Sequence, residues 1–482
     1  MDHLPEAIRH FLRATSDAVG LNIMLTTYVI LLSFNVLIAF GFKRVRIPFV
    51  RSCISLAIGL IWLCFLYNIN QTAILLFLTT VVYFVIMSGY LAPSTFTGTA
   101  IAGLSGFHIY RMIDNYMGWS LDITCPLMLF TAKFSMFAYD VYDGSRLKRA
   151  LPLSPDSQVS ETRSRTCLLE TPSLFEFYVY IFDFLGVLAG PVFHIREYLD
   201  FVYLRNDFAK IVDSWQVVWD RFSSALAIGA MFAVAGLIPQ LSYAFVQTTE
   251  HRNSALVVRL VSVQLITFAS RLRYYFAWYM ADIACVIAGI GYNPSSRDKH
   301  SRSQNAIVSK VDFLANCQSE AFGHWNISIS KWLRSCIYLR AHETPVPAML
   351  AGVFGHRQYA TLLTRFTSAF WHGFYPGYYL CFFSTVLHSE ADSVARKFIR
   401  PLFTKTGQTK PNWIYTIAGK IHTSICINYY GSAFLVLSAA AATDIWSGLY
   451  FCVHIFNILT IILVPVIGKK LLPRRSTDKK QQ

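Results

Sequence analysis

The sequence predicts an all-α polytopic membrane protein, read as one membrane-embedded domain of about ten or eleven helices, and three observations carry that prediction. Hydrophobic residues make up 54% of the 482 and charged residues only 14%, whereas a soluble domain carries about 25% charge. Mean hydropathy is +0.43. The apolar residues fall in continuous runs along the whole chain, each near the ~20 residues a helix needs to cross a bilayer, and not in the short alternating segments of a β-barrel.

The runs can be taken in order. Residues 1–20 mix both charge signs and lack the pattern of a signal peptide, so they are expected to form an N-terminal tail and the first apolar run to stay in the mature chain. Leu21 to Phe42 carries no charge and is followed by Lys43, Arg44, Arg46 and Arg51, which puts the first loop in the cytosol and the N-terminus on the far side. Ser52 to Tyr67 and Thr72 to Ala92 form a hairpin around the turn Asn68 to Gln71. Gly98 to Ile113 and Leu121 to Val141 follow, with a turn at Asn115 to Gly118 and the polar set His108, Arg111, Asp114, Lys133 and Asp140 inside. These polar groups could line a cavity or pair with one another, and pairing is the usual fate of charge at membrane depth.

Asp143 to Thr171 reads as a loop. Leu174 to Phe193 is broken by Gly186, Gly190 and Pro191 and suits a short or kinked helix, and 194–221, with Trp215 and Trp219, suits an interfacial one. Ala225 to Val246 is long enough to span, whereas Ala255 to Tyr292 is too long for one crossing. Between Asn293 and Thr361 the crossings do not add up. Either Met349 to Leu363 crosses, or embedded, non-spanning elements occupy this stretch. Thr361 to His388, Trp413 to Ala440 and Leu449 to Leu472 complete the domain, read as 21–472 with its catalytic core at about 100–460. Residues 473–482 form a basic tail. Its Lys479-Lys480-Gln481-Gln482 ending resembles a dilysine retrieval signal, which implies residence in the endoplasmic reticulum membrane and a cytosolic C-terminus.

Charge and cysteine usage narrow the partners. A net charge of +15 from 42 Lys and Arg against 27 Asp and Glu fits cytosolic loop bias and anionic lipid headgroups, and a CoA-type phosphate would be drawn to the same places; nucleic acid is disfavoured for a chain this apolar. The ten cysteines are scattered with no Cys-x-x-Cys pair, which disfavours a disulfide scaffold and structural zinc, and no metal site is expected. Phosphate-loop, nucleophile-elbow and zinc-protease motifs are absent from the sequence.

What remains is His372, about eleven residues into the run from Thr361 and so roughly 16 Å along a helix, where an ionisable group normally faces a cavity or a partner. Gly373, Pro376 and Gly377 follow and weaken a regular helix, which is tolerable at that depth only against protein or a wet cavity. The alternative function for such a residue is proton relay in a transporter.

Two ordered elements, Trp325-Asn326-Ile327 with Trp332-Leu333, and Trp371-His372-Gly373 through Tyr375-Pro376-Gly377-Tyr378-Tyr379, resemble the membrane-bound O-acyltransferase (MBOAT) family, nearest its lysophospholipid acyltransferase branch. Gly106-Phe107-His108, Leu188-Ala189-Gly190-Pro191, Arg273-Tyr274-Tyr275-Phe276-Ala277-Trp278 and Asn428-Tyr429 add to the match. The resemblance implies a helical fold around a central catalytic chamber, with acyl-CoA as co-substrate, a lysophospholipid as acceptor, membrane lipids as surroundings and no permanently bound cofactor.

In that reading neutral His372 accepts the acceptor hydroxyl's proton as its oxygen attacks the thioester. The Asn326 amide steadies the oxyanion or orients the acceptor. Trp325, Trp332, Trp371, Tyr375 and Gly377 would line the substrate path. Lys331 and Arg334, with Arg340, suit CoA phosphates or a solvated charge cluster. Asn326-Ile327-Ser328 also matches a glycosylation sequon, but the flanking tryptophans favour burial. Within the family, sterol, diacylglycerol or protein acylation are the alternatives.

Overall fold

The computed structural model describes residues 3–118, 121–210, 214–347, 350, 355–405 and 408–471. The segment around Met349 and the dilysine-like tail at Lys479-Lys480 therefore lie outside the described residues. Among those described, the fold is all-helical with no strand. Four of the described helices are long and apolar enough to cross a bilayer: Ile23–Phe42, Pro48–Tyr67, Ile69–Ser88 and Trp215–Gly236. Ala439–Gly448 with Cys452–Gly468, bent by 77°, makes a fifth if the pair is one span. The other long helices, Pro93–Asp114, Thr124–Lys148, Leu256–Ala288, His356–His372, Pro376–Val394 and Trp413–Val436, carry more polar groups, as expected of helices that face other helices or a polar interior. The protein is a multi-pass membrane protein.

The chain divides into two compact units where the sequence was read as one domain. One comprises Met1–Phe232, Leu272–Ala306 and Asn326–Phe374, the other Ala233–Arg271, Ile307–Trp325 and Tyr375–Gln482. In the first unit the residues expected as an N-terminal tail include the helix Glu6–Val19. The hairpin turn narrows to Asn68 alone, whose side chain accepts from the Gln71 amide and so caps the next helix. Arg51, read as a loop charge, is fully buried: its guanidinium donates to the carbonyls of Val202, Phe42 and Val45 at 3.0, 3.2 and 3.1 Å.

The broken segment after Leu174–Ile181 is the centre of this unit. Phe182, Phe184, Leu185 and Val187 are almost wholly buried although the backbone is not helical. Irregular backbone inside a membrane protein needs internal hydrogen bonds, and side chains from neighbouring helices supply them. Lys133 donates to the carbonyls of Tyr180 and Ile181 at 2.9 and 3.0 Å and to Asp183 at 2.5 Å. Asn35 reaches Phe184 O at 2.7 Å and Tyr28 reaches Leu188 O at 3.0 Å. Asp140 pairs with His194 at 2.9 Å and Arg111 with Asp122 at 2.9 Å.

Two sequence expectations are corrected here. The loop at Asp143 to Thr171 contains the helix Ser157–Thr166, N-capped by Asp156 and tied down by Arg163 to Glu343 at 2.8 Å. The spanning helix starts at Trp215, ten residues before the predicted Ala225, because Arg221 is buried against Asp282 and does not mark an interface. Leu256–Ala288 is one unbroken helix of 33 residues, about 50 Å long at 1.5 Å per residue, and the boundary between the units falls within it.

In the second unit, short pieces fill the stretch where the crossings did not add up: Lys310–Leu314 and Gln318–Phe322 are each five residues long. Arg271 forms an ion pair with Asp312, and Gln318 is bonded through its backbone N–H to Asp392 at 2.7 Å. The core gathers Val263, Ile266, Cys426, Tyr429, Tyr430 and Trp446. All ten cysteines are free thiols.

Candidate active site

His372 is the last residue of the helix His356–His372, not a residue in the middle of a continuous span. Gly373 ends the helix with φ 117° and ψ −160°, a region open essentially only to glycine. Its bare Cα also faces the His108 ring, where a Cβ would lie 3.2 Å from Cγ and Nδ1. The next helix starts at Pro376, a first-turn position where the missing N–H costs nothing. The break that the sequence predicted is therefore real, and it places the imidazole at a helix end.

Trp371, the residue before His372, is fixed in three ways. Its indole Nε1 donates to Met128 O at 2.9 Å, its carbonyl accepts from His108 Nε2 at 3.0 Å, and its ring lies 5.6 Å from that of Trp332. Trp371 is 4% exposed and Trp332 not at all, whereas His372 beside them is only half-buried. The His372 ring meets Trp371 edge-on at 4.8 Å. A side chain held by a buried neighbour yet itself reachable is what a proton acceptor requires.

Trp332 closes the six-residue helix Ile327–Trp332, and Asn326 opens it. Asn326 has φ 43° and ψ 60°, the left-handed conformation that asparagine tolerates better than most residues. Its carbonyl starts the helix by accepting from Ser330 N at 2.9 Å, but its side chain makes no capping bond. The amide is thus not consumed by the helix it begins. His372, Asn326, Trp332, Trp371, Lys331 and Arg334 belong to the first unit, and Trp325, Tyr375 and Gly377 to the second.

Lys331 and Arg334 are exposed. Arg340 is committed elsewhere: it holds Asp143 through two bonds of 3.0 and 2.5 Å and lies 4.4 Å over the Tyr139 ring. Tyr375 is buried, with its ring 6.0 Å from Tyr378. Gly377 is demanded by packing, since a Cβ there would sit 2.2 Å from Ala433 O, while its N–H donates to Leu437 O at 2.7 Å. A surface groove of about 580 Å³ in the first unit is lined by residues that include Ser52, Glu176, Tyr203 and Arg205, and by neither His372 nor Asn326.

Two features escaped the sequence reading. His108 was visible in a polar set and in the Gly106-Phe107-His108 element, but its bond to Trp371 was not, because it spans 263 residues. In the second unit His388, His422 and Cys426 bring possible ligand atoms within 4.8 Å of one another. Only the i, i+4 pair within that cluster has a local spacing. Its Cys426 Sγ and His422 Nε2 already engage Asn457 at 3.5 and 3.0 Å, so a hydrogen-bonded network accounts for the cluster.

The geometry so far is a reachable imidazole at a helix end and an uncommitted amide at a helix start. The family model of the membrane-bound O-acyltransferases matches residues 56–436. The chain belongs to the MBOAT family. It is accordingly an O-acyltransferase, and the transporter alternative falls away. Among curated relatives it is 30% identical over 437 residues to a protein of Schizosaccharomyces pombe named lysophospholipid acyltransferase, covering 86% of this chain and 81% of that one. Lysophospholipid acyltransferase 6 of Drosophila melanogaster is 26% identical over 93% of this chain and 62% of its own. Membrane-bound glycerophospholipid O-acyltransferase 2 of Gallus gallus is 26% identical, covering 94% and 88%.

Proposed function

We propose that this MBOAT enzyme transfers an acyl chain from acyl-CoA to the free hydroxyl of a lysophospholipid in the endoplasmic reticulum membrane, with its C-terminus in the cytosol. The observation that carries the substrate class is the similarity, over most of both chains, to relatives named for acylating lysophospholipids and glycerophospholipids. The half-buried imidazole of His372 supports the chemistry. It takes the acceptor hydroxyl's proton as that oxygen attacks the thioester carbonyl, forming the new C–O bond. The tetrahedral intermediate then expels the thiolate of CoA, the C–S bond breaks, and the imidazolium returns the proton to sulfur. Asn326 donates an amide N–H to the developing oxyanion, which adds stabilisation without burying a charge.

Lys331 and Arg334 are the cations available to CoA phosphates, Arg340 being held by Asp143. Trp332 and Trp371, both buried, set the packing beside His372 and not the chemistry. The test is to incubate purified protein with radiolabelled oleoyl-CoA and a panel of lysophospholipids, a sterol, a diacylglycerol and a peptide. Ester formed on a lysophospholipid is the expected result. Product formed only with one of the other acceptors would refute it.

A further inference from the structure

The Asn326 turn does not hold itself. Left-handed backbone is an uphill conformation for any residue with a side chain, and the Asn326 side chain makes no capping bond that would compensate. The two amides that follow point instead to a segment twenty residues upstream. Ile327 N donates to the backbone carbonyl of Asn305 at 2.8 Å, and Ser328 N donates to Asn305 Oδ1 at 3.3 Å. One residue thus receives both of the N–H groups that the left-handed turn exposes. Asn305 is 1% exposed, in a stretch with no helical backbone of its own.

That stretch is itself anchored. Arg302 bonds to Glu197 at 2.5 Å and Asp207 at 2.9 Å, and Ser303 bonds to Asp282 at 2.5 Å. On its other face the Asn305 amide packs on Gly190. A Cβ on Gly190, which has φ 77°, would lie 3.1 Å from Asn305 Nδ2 and 3.8 Å from Ser328 Oγ. Gly190 is therefore a glycine for two reasons, its positive φ and the room it leaves for Asn305. This accounts for the Leu188-Ala189-Gly190-Pro191 element, which lies far from the Asn326 turn in sequence and to which the mechanism assigns no role.

We infer that Asn305 is a positioning residue for Asn326, its carbonyl and side-chain oxygens locking the turn from which the Asn326 amide is presented. The inference rests on the reading above, in which that amide serves acyl transfer. Asn305 is buried and acts through the turn it holds, so its loss should appear in kcat and not in binding.

The experiment measures kcat and KM on purified full-length protein, with oleoyl-CoA and the lysophospholipid that the wild type turns over fastest, for Asn305→Ala, Asn305→Ser, Asn326→Gly and the double variant Asn305→Ala/Asn326→Gly. Glycine at 326 accepts the left-handed φ and removes only the amide. Asn305→Ala is expected to lower kcat about tenfold or more, with KM for oleoyl-CoA within about twofold, as a displaced catalytic group does. Asn305→Ser keeps an uncharged acceptor oxygen on a shorter side chain and should fall between Asn305→Ala and the wild type in kcat. The double variant should be no slower than Asn326→Gly, because a residue acting through another has nothing left to position.

An inactive Asn326→Gly beside a fully active Asn305→Ala would overturn the inference and leave the reading intact, as would losses that multiply in the double variant. A fully active Asn326→Gly would instead overturn the reading itself. If Asn305→Ala does not elute as a folded species, Asn305→Ser carries the test alone, and a wild-type kcat in it counts against the inference.

Discussion

Gly373→Ala perturbs the site without touching a reacting atom. At φ 117° and ψ −160° an alanine is strained by about 1–3 kcal/mol. The added Cβ falls 3.2 Å from the His108 ring, and such overpacking costs about 1–3 kcal/mol more. His108 cannot withdraw freely, because its Nε2 is bonded to Trp371 O at 3.0 Å. The cheapest relief is rotation of residues 372–374, which carries the imidazole with it, and a shift on the order of 1 Å lowers turnover about 10²-fold. Steady-state kinetics on protein that elutes as a folded species should therefore show kcat down by roughly that factor with KM for acyl-CoA little changed. A variant with at least half of the wild-type kcat would refute the claim that the helix end sets His372.

Other perturbations separate scaffold from site. Lys133→Met leaves the Asp183 carboxylate buried and unpaired, both side chains being 1% exposed, and should destabilise by about 3–5 kcal/mol in thermal unfolding; adding Asp183→Leu should recover part of that loss. Gly377→Ala drives a Cβ into backbone at 2.2 Å and should lower the yield of folded protein on size-exclusion analysis, since nothing there can move aside as a flexible side chain could. Lys331→Ala and Arg334→Ala should raise KM for acyl-CoA and spare kcat, because both are exposed cations with no part in proton transfer in the proposed scheme.

Local pattern and long-range pairing divide what could be read from the sequence. The first three spans end within a few residues of their predicted limits because their signal, an uncharged run between polar turns, is local. The break after His372 was legible for the same reason, in Gly373 and Pro376. Where a charge sits inside the protein, sequence misleads. Arg51 and Arg221 look like loop or interface residues until the Val202 carbonyl, 151 residues from the one, and the Asp282 carboxylate, 61 residues from the other, are seen. The helix Ser157–Thr166 has no apolar stripe to announce it and is fixed by a cap and by Glu343, 180 residues on from Arg163. His372 and Asn326 stood out through their motif company. Asn305, an unremarked polar residue in a basic stretch, gave no signal at all.

The most direct measurement is single-turnover ester formation by His372→Ala, on folded protein shown separately to bind oleoyl-CoA. Loss of the chemical step with donor binding intact is the expected outcome, since the proton then has no acceptor. Ester formed at the wild-type rate would contradict His372 as the base.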